Sequence, residues 1–84
     1  MGILKYFRQK AYVASHKSCI ITFLMSKYNL SEKTAKRCVA ESYYYDSLQI
    51  SIEETLHRDP EEWADDIYEY CWLNNKIDTQ LNYF

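Results

Sequence analysis

Apolar residues recur at helical spacing along most of this chain. Leu4, Phe7, Ala11 and Ala14 share one side of a helix drawn over Ile3 to Ala14. Ile20, Phe23, Leu24 and Tyr28 do the same over Ser18 to Tyr28, and this second stripe reads as core. Between them the pattern lapses at "ASHKS" (Ala14 to Ser18), so two separate helices are expected, with Ser15 or Ser18 capping the second. "YNLS" then reads as a turn, because Asn29 tolerates the left-handed conformation that ends helices and Ser31 is a good N-cap.

A third helix is expected from about Glu32 to Tyr45 or beyond. At about 100° per residue, Ala35, Cys38, Val39 and Ser42 gather on one side, a small-residue face that lets a neighbouring helix approach closely. Lys33, Arg37, Ala40 and Tyr44 fall opposite, with Lys36 beside them. The consecutive Tyr43, Tyr44 and Tyr45 point about 100° apart, so one core cannot hold all three. If the helix runs on through them, Tyr43 and Tyr45 flank the buried face and Tyr44 points away from it, onto the basic stripe.

The stretch 46–58 carries two signals. "LQISI" alternates like a strand, whereas "SIEETLH" places Ile52 and Leu56 four apart behind a capping Ser51, and the helical reading is preferred. "DPEEW" is the sharpest boundary in the chain. Asp59 caps, Pro60 takes the first helical position, and Glu62 completes a D-x-x-E box. The helix that follows is expected to reach about Asn74, with Trp63, Ile67 and Tyr70 as its core stripe and Cys71 on the flank. Tyr68 and Trp72 lie on the other side, among Glu61, Asp65 and Glu69. A solvated tryptophan among carboxylates needs a reason. A terminal segment folded over it, self-association, or a partner protein would each supply one.

These elements predict an all-α fold, a small bundle of three to four short helices forming a single domain over residues 1–84, with residues 1–2 and about 76–84 frayed, although Leu81 and Phe84 could dock. Composition agrees. One Gly and one Pro are too few for a turn-rich β fold, and 48% hydrophobic residues are too many for a disordered chain. Size scaling lets a chain of this mass bury about 64% of its unfolded surface, enough for one modest core.

The net charge of −2 conceals a division. Residues 1–40 hold eight Lys/Arg and one acid, Glu32, whereas residues 41–84 hold eleven acids and two bases, Arg58 and Lys76. Such a split permits a basic surface for a polyanion, an acidic surface for a basic partner, or mutual neutralisation within the fold. The longest apolar run, Cys19 to Met25, is far too short to span a bilayer, and no small-residue cleavage site follows it. Cys19, Cys38 and Cys71 are odd in number with no close pair, which reads as reduced thiols in a cytoplasmic chain rather than a disulfide framework.

Little in the sequence resembles reaction chemistry. His16 and Cys19 stand three apart, but further ligands come singly, so neither metal nor cofactor is expected. One glycine builds neither a P-loop nor a dinucleotide fingerprint, and no enzyme motif occurs. The expectation is a small, non-catalytic protein-interaction module: a regulator, adaptor or inhibitor. Its contact residues would be Tyr68, Trp72, Asp65, Glu61 and Glu69, with Tyr44 on a second surface, facing a partner that offers a basic or hydrophobic surface, or a second copy in a homodimer. The alternative is a DNA-binding regulator. "MSKYNLSEKTAKRCV" has the outline of a helix-turn-helix, resembling such segments in a generic way, with Lys33, Lys36 and Arg37 at the start of the recognition helix.

Overall fold

The structure, a computed structural model, describes the backbone of residues 2–73 and the side chains of residues 9–73. Among the described residues five helices follow one another: α1 (Gly2–Tyr28), α2 (Glu32–Glu41), α3 (Tyr44–Ile50), α4 (Ile52–His57) and α5 (Pro60–Leu73). No strand occurs among the described residues, and the fold is all-α, with five helices in place of three to four. Expectations about Leu4, Phe7, Met1, the end of the last helix at Asn74, fraying at 76–84, and docking by Leu81 and Phe84 lie outside the described residues or side chains.

The two expected N-terminal helices are one helix of 27 residues. "ASHKS" contains neither Gly nor Pro, so nothing in it interrupts the backbone ladder. The lapse in apolar pattern has a different cause: His16 itself is an inward-facing residue and is buried. α1 stops at Asn29, which adopts φ 58°, the left-handed conformation anticipated from its type. The chain then turns sharply enough for the Leu30 N–H to reach back to the Leu24 carbonyl at 3.4 Å, and Leu30 is buried. Ser31 caps α2 by accepting the Thr34 N–H at 3.2 Å.

α2 buries Ala35, Cys38 and Val39, the small-residue face foreseen from spacing, but it ends at Glu41 rather than Tyr45. Ser42 is the reason. Its hydroxyl donates to the Val39 carbonyl at 2.8 Å and accepts the Tyr44 N–H at 3.2 Å, closing one helix and opening the next. The interruption resets the helical phase, which overturns the expected placement of Tyr44. That ring is fully buried, whereas Tyr43 and Tyr45 are exposed at 40% and 38%. "LQISI", with its strand-like alternation, is helical through Ile50. Ser51 then adopts an extended conformation (φ −156°, ψ 99°), ends α3, and caps α4 by accepting the Glu54 N–H at 3.4 Å. Asp59 caps α5 as anticipated, accepting the Glu61 N–H at 2.9 Å.

α1 packs mainly along α5, and α2 covers one end of that pair. Ile20 and Leu24 of α1, Leu30, the small face of α2, Tyr44, and Trp63, Ala64, Ile67 and Cys71 of α5 form one continuous core. On α5 the inward stripe therefore runs 63/67/71, not 63/67/70. Tyr70 stands half out and meets Tyr43 edge-on at 6.2 Å between centroids.

A buried polar chain ties these layers together. His16 Nε2 lies 2.8 Å from the Arg58 carbonyl, which only accepts, so Nε2 carries the proton. Nδ1 shares a hydrogen bond with the Tyr44 hydroxyl at 2.9 Å. Burial pushes the Tyr44 pKa up to about 12, which keeps that hydroxyl protonated. Trp63 stands perpendicular to Tyr44 with centroids 5.1 Å apart, and its indole N–H donates to the Thr55 carbonyl at 3.0 Å. One histidine thus joins α1 to the start of α3 and to the junction between α4 and α5. Removing only the hydroxyl, by Tyr44→Phe, leaves a buried imidazole nitrogen without its partner and should cost about 1–3 kcal/mol. Thermal unfolding followed by circular dichroism would show a fall of about 4–8 °C per kcal/mol.

Candidate functional site

The expected contact residues on α5 fall into two overlapping environments along the helix. Glu61 and Asp65, one turn apart, face α1 and receive Lys27 between them. Its ammonium lies 2.8 Å from Glu61 Oε2 and 3.0 Å from Asp65 Oδ1. The Tyr28 hydroxyl donates to the same Asp65 carboxylate. Hydrogen bonds from Tyr28 and then from Lys27 hold Asp65 below the ordinary carboxylate range. Tyr28 moves the other way: burial, then its bond to the carboxylate, pushes its pKa up to about 12.

The Tyr28 hydrogen bond positions a ladder of aromatic rings. Tyr28 stacks on Tyr68 with centroids 3.9 Å apart and planes 7° from parallel. Tyr68 in turn stacks on Trp72 at 6.2 Å and 24°. Tyr68 is half-buried beneath its neighbours, whereas Trp72 at the outer end is 39% exposed. The ladder lines a cleft of about 550 Å³ whose other walls are Asp65, Asp66 and Glu69. Glu69 is exposed, and among the described residues it forms no ion pair. Asp66 receives Arg58, which also pairs with Glu62 at 3.6 Å and lies over the Trp63 ring at 4.8 Å.

The structure brings together four of the six residues expected on the interaction surface, Asp65, Tyr68, Glu69 and Trp72, around one cleft, with Glu61 a turn before them on Lys27. It separates Tyr44 from them, in the core. Tyr28, read from sequence as core, proves to be the ring that orders the ladder, and Lys27, Arg58 and Asp66 were missed. Lys27 meets Glu61 across 34 positions and Tyr28 meets Asp65 across 37, which no local spacing encodes, whereas Arg58 and Asp66 are only eight apart and flank the start of α5.

On the opposite half, Lys33, Lys36 and Arg37 are all exposed on α2, behind the three-residue connection from α1. Lys36 pairs with Glu32 at 2.9 Å across one turn, which removes part of its field. A second groove of about 510 Å³ lies between α1 and α4, with Tyr12 and Cys19 on one wall and Ile52 and Leu56 on the other. Cys38 and Cys71, distant in sequence, are both free thiols buried in the core, and the neighbouring Cys38 together with burial raises the Cys71 thiol well above its ordinary value. No described group of His, Cys, Asp and Glu has the arrangement of a metal site, and no described helix is long and apolar enough to cross a membrane. Comparison with protein-family models, with curated proteins and with solved structures finds no match to this chain.

The seam between α1 and α5 has a definite pH signature. Asp65 contributes stability that is complete above the ordinary aspartate value of 3.8 and is lost as pH falls through its lower folded value. Tyr28 keeps its proton in the folded chain to about pH 12 but releases it near 10 when unfolded, so its contribution is complete below pH 10 and is lost between 10 and about 12. In a phenolate absorbance titration, Tyr28 and Tyr44 should ionise near pH 12. In Tyr28→Phe one of these late ionisations should vanish, and the acid limb of the stability profile should move to higher pH.

Proposed function

We propose that this protein is a non-catalytic interaction module that docks a partner protein on the acidic, aromatic face of α5. The observation that carries this reading is the ordered ladder ending in an exposed indole beside a carboxylate that forms no ion pair among the described residues. Tryptophan and tyrosine supply large contact areas with few torsions, and they are enriched among residues that dominate binding energy. Here Tyr28 already fixes the inner ring through its bond to Asp65, so less side-chain freedom remains to be lost on docking. The carboxylates of Glu61, Glu62, Asp65, Asp66 and Glu69 on this one helix would draw a basic surface and repel an acidic one. Lys27 and Arg58 offset part of that charge, and Glu69 at the outer turn keeps it.

Trp72→Ala should remove contact area from the surface and little from the core, since its described ring contact is the stack on Tyr68. We expect its melting temperature within about 4 °C of the parent. Affinity capture from the native host, followed by mass spectrometry, should recover a partner with the parent chain and lose it with the variant. Sedimentation of the purified chain distinguishes a homodimer, in which case the parent sediments as a dimer and the variant as a monomer. A drop of well over 4 °C in the variant, with capture unchanged, would mark Trp72 as structural instead.

Nucleic-acid binding is the second reading, favoured by the exposed Lys33, Lys36 and Arg37 at the start of α2. It requires duplex DNA to bind with a steep salt slope that Lys36→Ala with Arg37→Ala flattens by about two. Absence of binding to mixed-sequence duplex at low salt would remove it.

A further inference from the structure

We propose that the open end of the ladder receives an arginine guanidinium from a basic segment of the partner, stacked on Trp72 and paired with Glu69. This inference rests on the reading of α5 as the docking face and names the chemistry it recognises. The fold already builds the same arrangement for itself. The Arg58 guanidinium lies 4.8 Å from the centroid of the Trp63 ring while pairing with Asp66 and Glu62, carboxylates within one turn of that ring. Lys27 repeats it with the other cation: its ammonium stands 5.8 Å from the Tyr28 centroid and pairs with Glu61 and Asp65. Each instance needs an aromatic face, a carboxylate within reach, and a cation that touches both.

The outer rings of the ladder, Tyr68 and Trp72, have the first two parts. Glu69 lies between Tyr68 and Trp72 in sequence and within one turn of both, and among the described residues no cation stands over either ring. The cleft of about 550 Å³ beside them gives a side chain room to enter. Arginine fits better than lysine for a geometric reason. A planar guanidinium can lie parallel to an indole and still direct its edge N–H groups at a carboxylate, whereas an ammonium is compact and more strongly hydrated. Phosphate-bearing ligands are disfavoured by the same carboxylates. A second copy of the chain, whose first forty residues include Arg8 and Arg37, is the competing occupant.

The test uses the full isotopically labelled chain and three short glycine-spaced peptides of equal length, carrying arginine, lysine or the neutral isostere citrulline. The two indole N–H resonances report separately, because that of Trp63 is bonded to the Thr55 carbonyl in the core and serves as the internal control. The arginine peptide should shift the Trp72 signal and leave that of Trp63 in place, bind about fivefold more tightly than the lysine peptide, and lose about fivefold in Glu69→Gln. The citrulline peptide should produce no shift. Equal affinity for arginine and lysine, or a shift that bypasses Trp72, overturns the proposal, as does a dimer seen by sedimentation at the same concentration that dissociates in Trp72→Ala. Glu69→Gln alters only an exposed side chain and keeps the test independent of folding. An arginine-blind result removes the guanidinium site and leaves the docking face standing, whereas unchanged partner capture with Trp72→Ala removes the face itself.

Discussion

A single buried imidazole holds the layers of this fold in register. His16 sits in the middle of α1 and uses both ring nitrogens, one on the Tyr44 hydroxyl and one on the Arg58 carbonyl. Buried polar groups stabilise a structure only when all their hydrogen-bonding capacity is met, and among the described residues no buried side-chain nitrogen or oxygen lacks a partner. Satisfying His16 therefore demands that Tyr44 point inward and that the backbone at Arg58 pass directly over α1. Those two demands locate the start of α3 and the start of α5. Trp63, one turn into α5, then closes against Tyr44 and bonds back to α4.

From that anchor the rest of α5 runs along α1, and the division of charge between the two halves of the chain acquires a structural meaning. Basic residues of α1 meet acidic residues of α5 at Lys27, which bridges Glu61 and Asp65. These pairs are partly exposed, so their direct contribution to stability is small. Their consequence is positional. They bring Tyr28 to Asp65 and thereby set Tyr28 flat against Tyr68. Mutual neutralisation is incomplete, however. α5 continues past the end of this contact, and its last turn offers Glu69 and Trp72 to solvent. The docking face proposed above is the part of α5 that α1 leaves uncovered.

The interior shows the same economy of small residues. Ala35, Cys38 and Val39 allow α2 to approach α5 closely enough for Cys38 and Cys71 to become neighbours. A larger side chain at either position would force the helices apart, because protein interiors close-pack and have no slack for an added methylene.

Much of the local structure was legible in the sequence because its causes are local. The N-caps at Ser31, Ser51 and Asp59, the left-handed stop at Asn29, the proline that opens α5 and the small-residue face of α2 each follow from residue type and spacing within one or two turns. So does the outward placement of Trp72, from its angle relative to Trp63 and Ile67. The failures have two causes. Helical continuity through "ASHKS", the burial of Tyr44 and the use of Tyr28 as an ordering ring depend on partners 28 or more positions away, whereas the break at Ser42 is a local choice by a serine hydroxyl that resets the helical phase. A histidine looks like a gap in an apolar stripe until a tyrosine and a carbonyl arrive to satisfy it. The sequence alone determined where helices begin, which faces are small or acidic, and that the fold is all-α. Tertiary structure decided which polar groups could be buried, since burial is favourable only when a distant segment supplies the hydrogen bond.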